Sequence, residues 1–363
     1  MKTAYLVLEN GSVFKGESFG YETETVGELV FNTGMVGYLE ALSDPSYFGQ
    51  ILIQTFPLIG NYGVIPSDLE SGKVQVKAYI VREWCQDPSN FRSEGSLDAF
   101  LNENKIPGLC NIDTRALTKI IREKGVMNAM ISKTPELTSD QWQILRDYKV
   151  KDGVSAVTCT ERYAAACENP KYNVALWDFG ARRSITEKFT QHGCSVTIVP
   201  GSTTAEQIAE LKPDGIVLSN GPGDPSDNTD IIEQIKKICK LGIPVFGIGL
   251  GHQLLALSQG ARTEKLHYGH NGSNQPVLNT LNGQVFVTGQ NHGYTVTKDS
   301  LPETAFQEYE NCNDGTCEGI TYTNMPAFSV QFYPEASIGL QGSQWLFNRF
   351  TDMMDINKEG GNN

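Results

Sequence analysis

From Tyr172 to Gly260, short apolar runs alternate with amphipathic stretches, and no other feature of the chain restricts its fold so strongly. "NVALWDFG" leads into "RRSITEKFTQHG", "SVTIVP" into "TAEQIAELK", "GIVLSNGPGDP" into "TDIIEQIKKICKLG", and "PVFGIG" into "HQLLALSQG". Strands that alternate with helices in this way build a parallel sheet wrapped on both faces. Between Gln284 and Gln331 the runs become hairpin-like, "QVFVTGQNHGYTV" and "AFSVQFYPEAS", as expected of an antiparallel extension at one edge. Ligands of such sheets bind at the carboxyl ends of the strands. Three unusual loops fall there: "SNGPGDP" at 219–225, "GIGLGHQ" at 247–253 and "QFYPEAS" at 331–337.

The first half has a different texture. "AYLVLENGSVFKGESFG" reads as a hairpin turning at Asn10-Gly11, and "ILIQTFPLIGNYGV" as a buried strand that ends in turn residues. "SLDAFLNENK", capped by Ser96, and "DTRALTKIIREKG", opened by Asp113 and closed by Gly125, read as helices. Residues 151–171 carry no sustained period. The expected division is therefore a mixed α/β amino-terminal domain over 1–150, a linker over 151–171, a doubly wound α/β domain over 172–357 and a flexible tail over 358–363.

A chain of 363 residues suits two such cores. No apolar run approaches a membrane span and no secretory signal opens the chain, so the expectation is a cytoplasmic protein without a membrane partner. A net charge of −13 argues against nucleic acid as partner. The cysteines lack paired spacing and read as reduced thiols, and the acceptor triplet at Asn271 carries little meaning in that setting.

"IPVFGIGLGHQLLALSQG" has the layout of a strand, a tight glycine turn and a helix, which displays a reactive side chain at the tip of a parallel sheet. At that tip stands Gly249.

The three loops together resemble the class I glutamine amidotransferase domain. "FNTGMVGYLEALSDPSYFGQIL", "TFPLIGNYG", "SNFR" and "IDTRALTKIIREKG" resemble the amino-terminal domain of the carbamoyl phosphate synthase small-subunit family. In that family an elbow cysteine attacks the glutamine amide, a histidine shuttles the proton and a glutamate orients the histidine. The elbow pattern G-I-C-L-G-H-Q reads here with Gly249 in place of cysteine, and Q-G-H-P-E reads with Tyr333 in place of histidine; Glu335 remains. Glycine is no nucleophile and a tyrosine, with an ordinary pKa near 10, is a poor base. Loss of a nucleophile alone costs roughly 10⁴ to 10⁶ in rate, so hydrolysis is expected to be absent.

The resemblance implies more about the surrounding site. It places oxyanion donors at Gly221 and Leu250. It carries glutamine contacts to Ser46, Gly221, Gly223, Leu250, Gln253, Asn291, Gly293 and Tyr294. It implies a large synthetase subunit as partner, with ATP, magnesium and bicarbonate bound there and no cofactor on this chain, in a pathway leading to arginine or pyrimidines. Three roles stay open: a structural or regulatory subunit whose partner uses free ammonia, a glutamine sensor, and a glutaminase with a substitute nucleophile such as Cys239, Cys312 or Cys317. Whether the Tyr333 ring fills the space vacated at Gly249 also stays open. His252 and His292 read as structural. His267 and His270 lack companion ligands for a metal, which the site is expected not to hold, and the "GPGDP" loop lacks the lysine of a nucleotide-binding loop.

Overall fold

Two units make up the protein, described by a computed structural model for residues 2–336, 343 and 345–360. The first comprises Met1–Lys151 with His267–Gly272, the second Asp152–Leu266 with Ser273–Asn363.

In the first unit, Thr3–Leu8 (β1) and Val13–Gly20 (β2) form the expected hairpin, with Gly11 at φ 87°. They are followed by Thr25–Asn32 (β3), Gln50–Gln54 (β4), Leu58–Ile59 (β5), Ala78–Ile80 (β6), Glu83–Trp84 (β7), Pro107–Cys110 (β8) and Met127–Ser132 (β9). Seven of these close into a barrel in the order β1-β2-β8-β6-β4-β3-β9, while β5 and β7 pair separately. Side-chain alternation explains its two layers. Leu29 and Phe31 of β3, Ile51 and Ile53 of β4, and Ala78 and Ile80 of β6 join residues of β1, β8 and β9 in a lumen cluster, with Phe14 of β2 packed on it. The intervening Val30, Leu52 and Tyr79 face outward. There they pack with Tyr38–Ser43 (α1) and Leu97–Glu103 (α2), whose Ser96 cap accepts from the Ala99 N–H. Thr114–Lys124 (α3) runs from its Asp113 cap to Gly125, and Ser139–Asp147 (α4) follows β9. The segment 267–272 belongs here: the Val126 N–H donates to the His267 carbonyl at 2.8 Å and Tyr268 stacks on Phe31.

The second unit begins earlier than the linker reading allowed. Residues 151–171 contain Gly153–Val157 (α5) and Tyr163–Ala165 (β10), and β10 is the edge strand of the sheet. Three residues of an edge strand are too few to show a period of two. The remaining strands are Tyr172–Asp178 (β11), Cys194–Pro200 (β12), Gly215–Leu218 (β13), Val245–Ile248 (β14), Thr263–Asn279 (β15), Val285–Val296 (β16), Ala305–Asn311 (β17), Cys317–Tyr322 (β18) and Ala327–Val330 (β19). They run in the order β10-β12-β11-β13-β14-β19-β18-β16-β15-β17. The pairs from β12 to β19 are parallel; β10/β12, β19/β18, β18/β16 and β15/β17 are antiparallel.

Both faces are covered. Ala175, Trp177, Ile216 and Leu218 pack with Ile235 of Thr229–Ile238 (α8) and Leu254 of Leu250–Ser258 (α9). Val174, Leu176, Val217 and Phe246 pack with Phe189 of Arg183–Gln191 (α6) and Phe350 of Trp345–Gly360 (α10). Ala205–Glu210 (α7) carries a capping box at Thr204. Lys358 to Gly360, read as tail, belong to α10, while 361–363 lie outside the described residues, as does Ser337.

Candidate active site

The elbow is β14, Gly249 and α9. Gly249 holds φ 58° and ψ −112° and donates its N–H to the Val330 carbonyl at 2.9 Å. The glycines on either side of it are demanded by close packing. A Cβ on Gly251 would lie 2.2 Å from the Leu218 carbonyl oxygen, and one on Gly247 2.9 Å from that of Gly251. At Gly249 the nearest atoms to such a Cβ are Asn220 Cβ at 3.1 Å and Cα at 3.3 Å, and then the Gln331 carbonyl oxygen at 3.9 Å. The turn is strained for any L-residue, and an added Cβ would press on Asn220 without meeting the backbone-oxygen clash found at Gly251. No Tyr333 atom comes nearer than 3.9 Å to that point, so its ring does not occupy the position of the missing Cβ.

The glycine loop sits against the elbow. A Cβ on Gly221 would meet the Phe179 carbonyl oxygen at 2.3 Å and Leu250 Cδ2 at 2.8 Å, so the Leu250 side chain packs against the glycine loop. Gly223 follows with φ 91°. Ser219 Oγ accepts from the Phe179 N–H at 2.9 Å and donates to the Asn220 carbonyl at 2.8 Å, tying this loop to the end of β11.

At the position matched to the base, Tyr333 is buried, and its N–H donates to the Gly289 carbonyl at 2.9 Å. Its ring packs in the cluster of Ile248, Val330 and Phe332. The Arg182 guanidinium lies over that ring, 4.5 Å from its centroid, and Nη1 donates to Glu335 Oε1 at 2.9 Å. Side-chain exposure is 6% for Arg182 and 0% for Glu335, so this is a desolvated ion pair. Asp178 positions the arginine: its Oδ1 accepts from the N–H groups of Gly180 and Ala181, and Asn220 Oδ1 accepts from the N–H of Arg182 at 3.1 Å. Sequence reasoning passed over Arg182 and Asn220. Their signal was position alone, each lying in the loop that leaves the carboxyl end of a parallel strand, β11 for Arg182 and β13 for Asn220.

The substrate positions divide. Gln253 donates both amide hydrogens within the protein, to the Tyr294 carbonyl at 2.7 Å and Gln331 Oε1 at 2.8 Å. Asn291, Gly293 and Tyr294 lie half-buried on β16, and the Lys265 ammonium stands 5.9 Å from the Tyr294 ring centroid. Ser46 belongs to the first unit, in the turn Pro45–Tyr47, where its N–H donates to Asp44 Oδ1.

Neither histidine of the matched motifs stands as a free base. His252 is fully buried with Nδ1 2.8 Å from Ser329 Oγ, and burial pushes its pKa down to about 3. His292 has Nδ1 2.8 Å from the Tyr294 carbonyl and Nε2 3.0 Å from Gln290 Oε1. The substitute thiols are poorly disposed. Cys239 lies in the turn Cys239–Leu241 that precedes β14, on the side of the strand's start, whereas Gly249 follows its end. Burial pushes its thiol up to about 11 and that of Cys317 up to about 12, which suppresses the thiolate. Cys312 lies exposed past the end of β17.

Among the described residues, no helix is long and apolar enough to cross a membrane. Two family models match the chain: the carbamoyl-phosphate synthase small chain, CPSase domain, over residues 6–131, and glutamine amidotransferase class-I over residues 175–353. The carbamoyl phosphate synthase small chain of Clostridium perfringens is 48% identical over 96% of this chain and 98% of its own length. That of Syntrophotalea carbinolica is 44% identical over 98% and 99%, and the pyrimidine-specific small chain of Halalkalibacterium halodurans 48% over 97% of each. With its amidotransferase-type α/β domain and its matched amino-terminal domain, the chain belongs to the carbamoyl phosphate synthase small chain family.

Proposed function

We propose that this chain is a small subunit that no longer hydrolyses glutamine and that supports or gates a large synthetase subunit using ammonia from solution. One observation carries the reading: the elbow apex is Gly249, with no side chain to attack an amide. The pairing of Glu335 with Arg182 supports it, because the acid that would orient a histidine is committed to a guanidinium. ATP, magnesium and bicarbonate would bind to the large subunit, and the assembly would work in the cytoplasm. The test combines the chain with its large subunit and compares nitrogen donors. Carbamoyl phosphate should form with ammonium chloride and not with glutamine; equal rates with both would overturn the proposal.

A second reading rests on Gly221 and Leu250, in contact through the Leu250 side chain, whose backbone N–H groups survive the loss of a nucleophile side chain. On this reading the chain senses glutamine without cleaving it. Calorimetric titration with millimolar glutamine should then give saturable heat without glutamate release, and a flat titration ends this reading.

A further inference from the structure

The barrel of the first unit is plugged at one end and open at the other. α3 connects the end of β8 to the start of β9, and its Leu117 and Ile121 join the lumen cluster there. The opposite end, where β1, β3 and β8 start and β2 and β9 finish, holds a cavity of about 300 Å³. Its floor is apolar, made by Ala4, Leu109 and Ile131 of the lumen cluster together with Pro107. Barrel mouths are recurrent sites for small ligands, and this volume lies at the lower end of their range.

The rim is charged in a particular way. Lys2 and Glu22 neutralise each other at 2.7 Å. Among the described residues Glu24 has no cationic partner: Oε1 accepts from Ser132 Oγ and the Lys133 N–H, and Oε2 from Gln141 Nε2. The Lys133 side chain is exposed and forms no ion pair among the described residues. A positioned carboxylate and a lysine without an ion pair among the described residues therefore line the same apolar-floored cavity. A plain anion would meet Glu24, and a plain cation would meet Lys133. A ligand with both charges and an apolar tail satisfies all three surfaces.

We propose that this barrel mouth binds a zwitterionic amino acid with an apolar side chain, its carboxylate on Lys133, its ammonium on Glu24 and its side chain on the floor around Ile131. The full chain, labelled at isoleucine methyl groups, is titrated into the millimolar range with L-leucine and with L-phenylalanine. The Ile131 methyl resonances should shift to saturation with at least one of them. For leucine, 4-methylpentanoate and isoamylamine, which each lack one charge, should bind about tenfold or more weakly. Lys133→Glu, at an exposed position, should abolish binding while the rest of the spectrum stays unchanged. Resonances unmoved by both amino acids, an unaltered affinity in Lys133→Glu, or equal binding of 4-methylpentanoate would each overturn the proposal.

Discussion

At Gly249 the cost of a side chain is conformational before it is chemical. Its φ of 58° with ψ −112° lies where L-residues are strained, and Asn220 stands close to any added Cβ. Gly249→Cys should therefore lower stability by about 1 to 3 kcal/mol, read from urea unfolding. No loss at all would mean that the turn relaxes when a side chain is present. Restored chemistry needs more than the thiol. Gly249→Cys with Tyr333→His should recover some glutamate release, and Gly249→Cys alone much less, because its thiolate lacks a proton partner. Full activity from the single change would remove Tyr333 from the account. Arg182→Ala strands the buried carboxylate of Glu335 and should cost about 3 to 5 kcal/mol, most of it recovered by Glu335→Gln in the same chain. Gly249 and Tyr333 drew attention in the sequence because they interrupt long stretches that otherwise match the family pattern. Arg182 was not, because an arginine at a strand-to-helix junction looks in sequence like any solvated charge.

The elbow element depends on backbone contact at its outer glycines. Gly251→Ala would press a methyl group to 2.2 Å from the Leu218 carbonyl, so the second unit should fail to fold or lose most of its stability, unlike the milder outcome at Gly249. α9 also places His252 in the core, with its pKa depressed from 6.5 to about 3. Below pH 6.5 the unfolded chain takes up a proton that the folded chain refuses, so this group withdraws stability as pH falls. At pH 4.5 the loss is roughly 2 to 3 kcal/mol. The drop in urea midpoint from pH 7 to 4.5 should be smaller in His252→Asn than in the parent, and equal drops would contradict neutral burial. Alternating elements of the second half were readable, since helices cover both sheet faces and central strands such as β13 and β14 are apolar and buried throughout. The seventeen residues of β15 were not, because their burial is irregular and they pass through both units.

Over the whole molecule, the second unit followed from local pattern and the barrel of the first did not. Its parallel pairings β3/β4, β4/β6 and β6/β8 join segments separated by loops and helices, and no local period announces such closure. Separated pairing likewise assigns 267–272 to the first unit. The central claim is that a small chain of this family keeps its architecture while losing its glutaminase chemistry at one vacant elbow. The most direct measurement is glutamate release from glutamine by the purified chain, alone and in complex with its large subunit. The account predicts release at the level of a no-protein blank in both states; turnover above that blank that rises with protein concentration would contradict it.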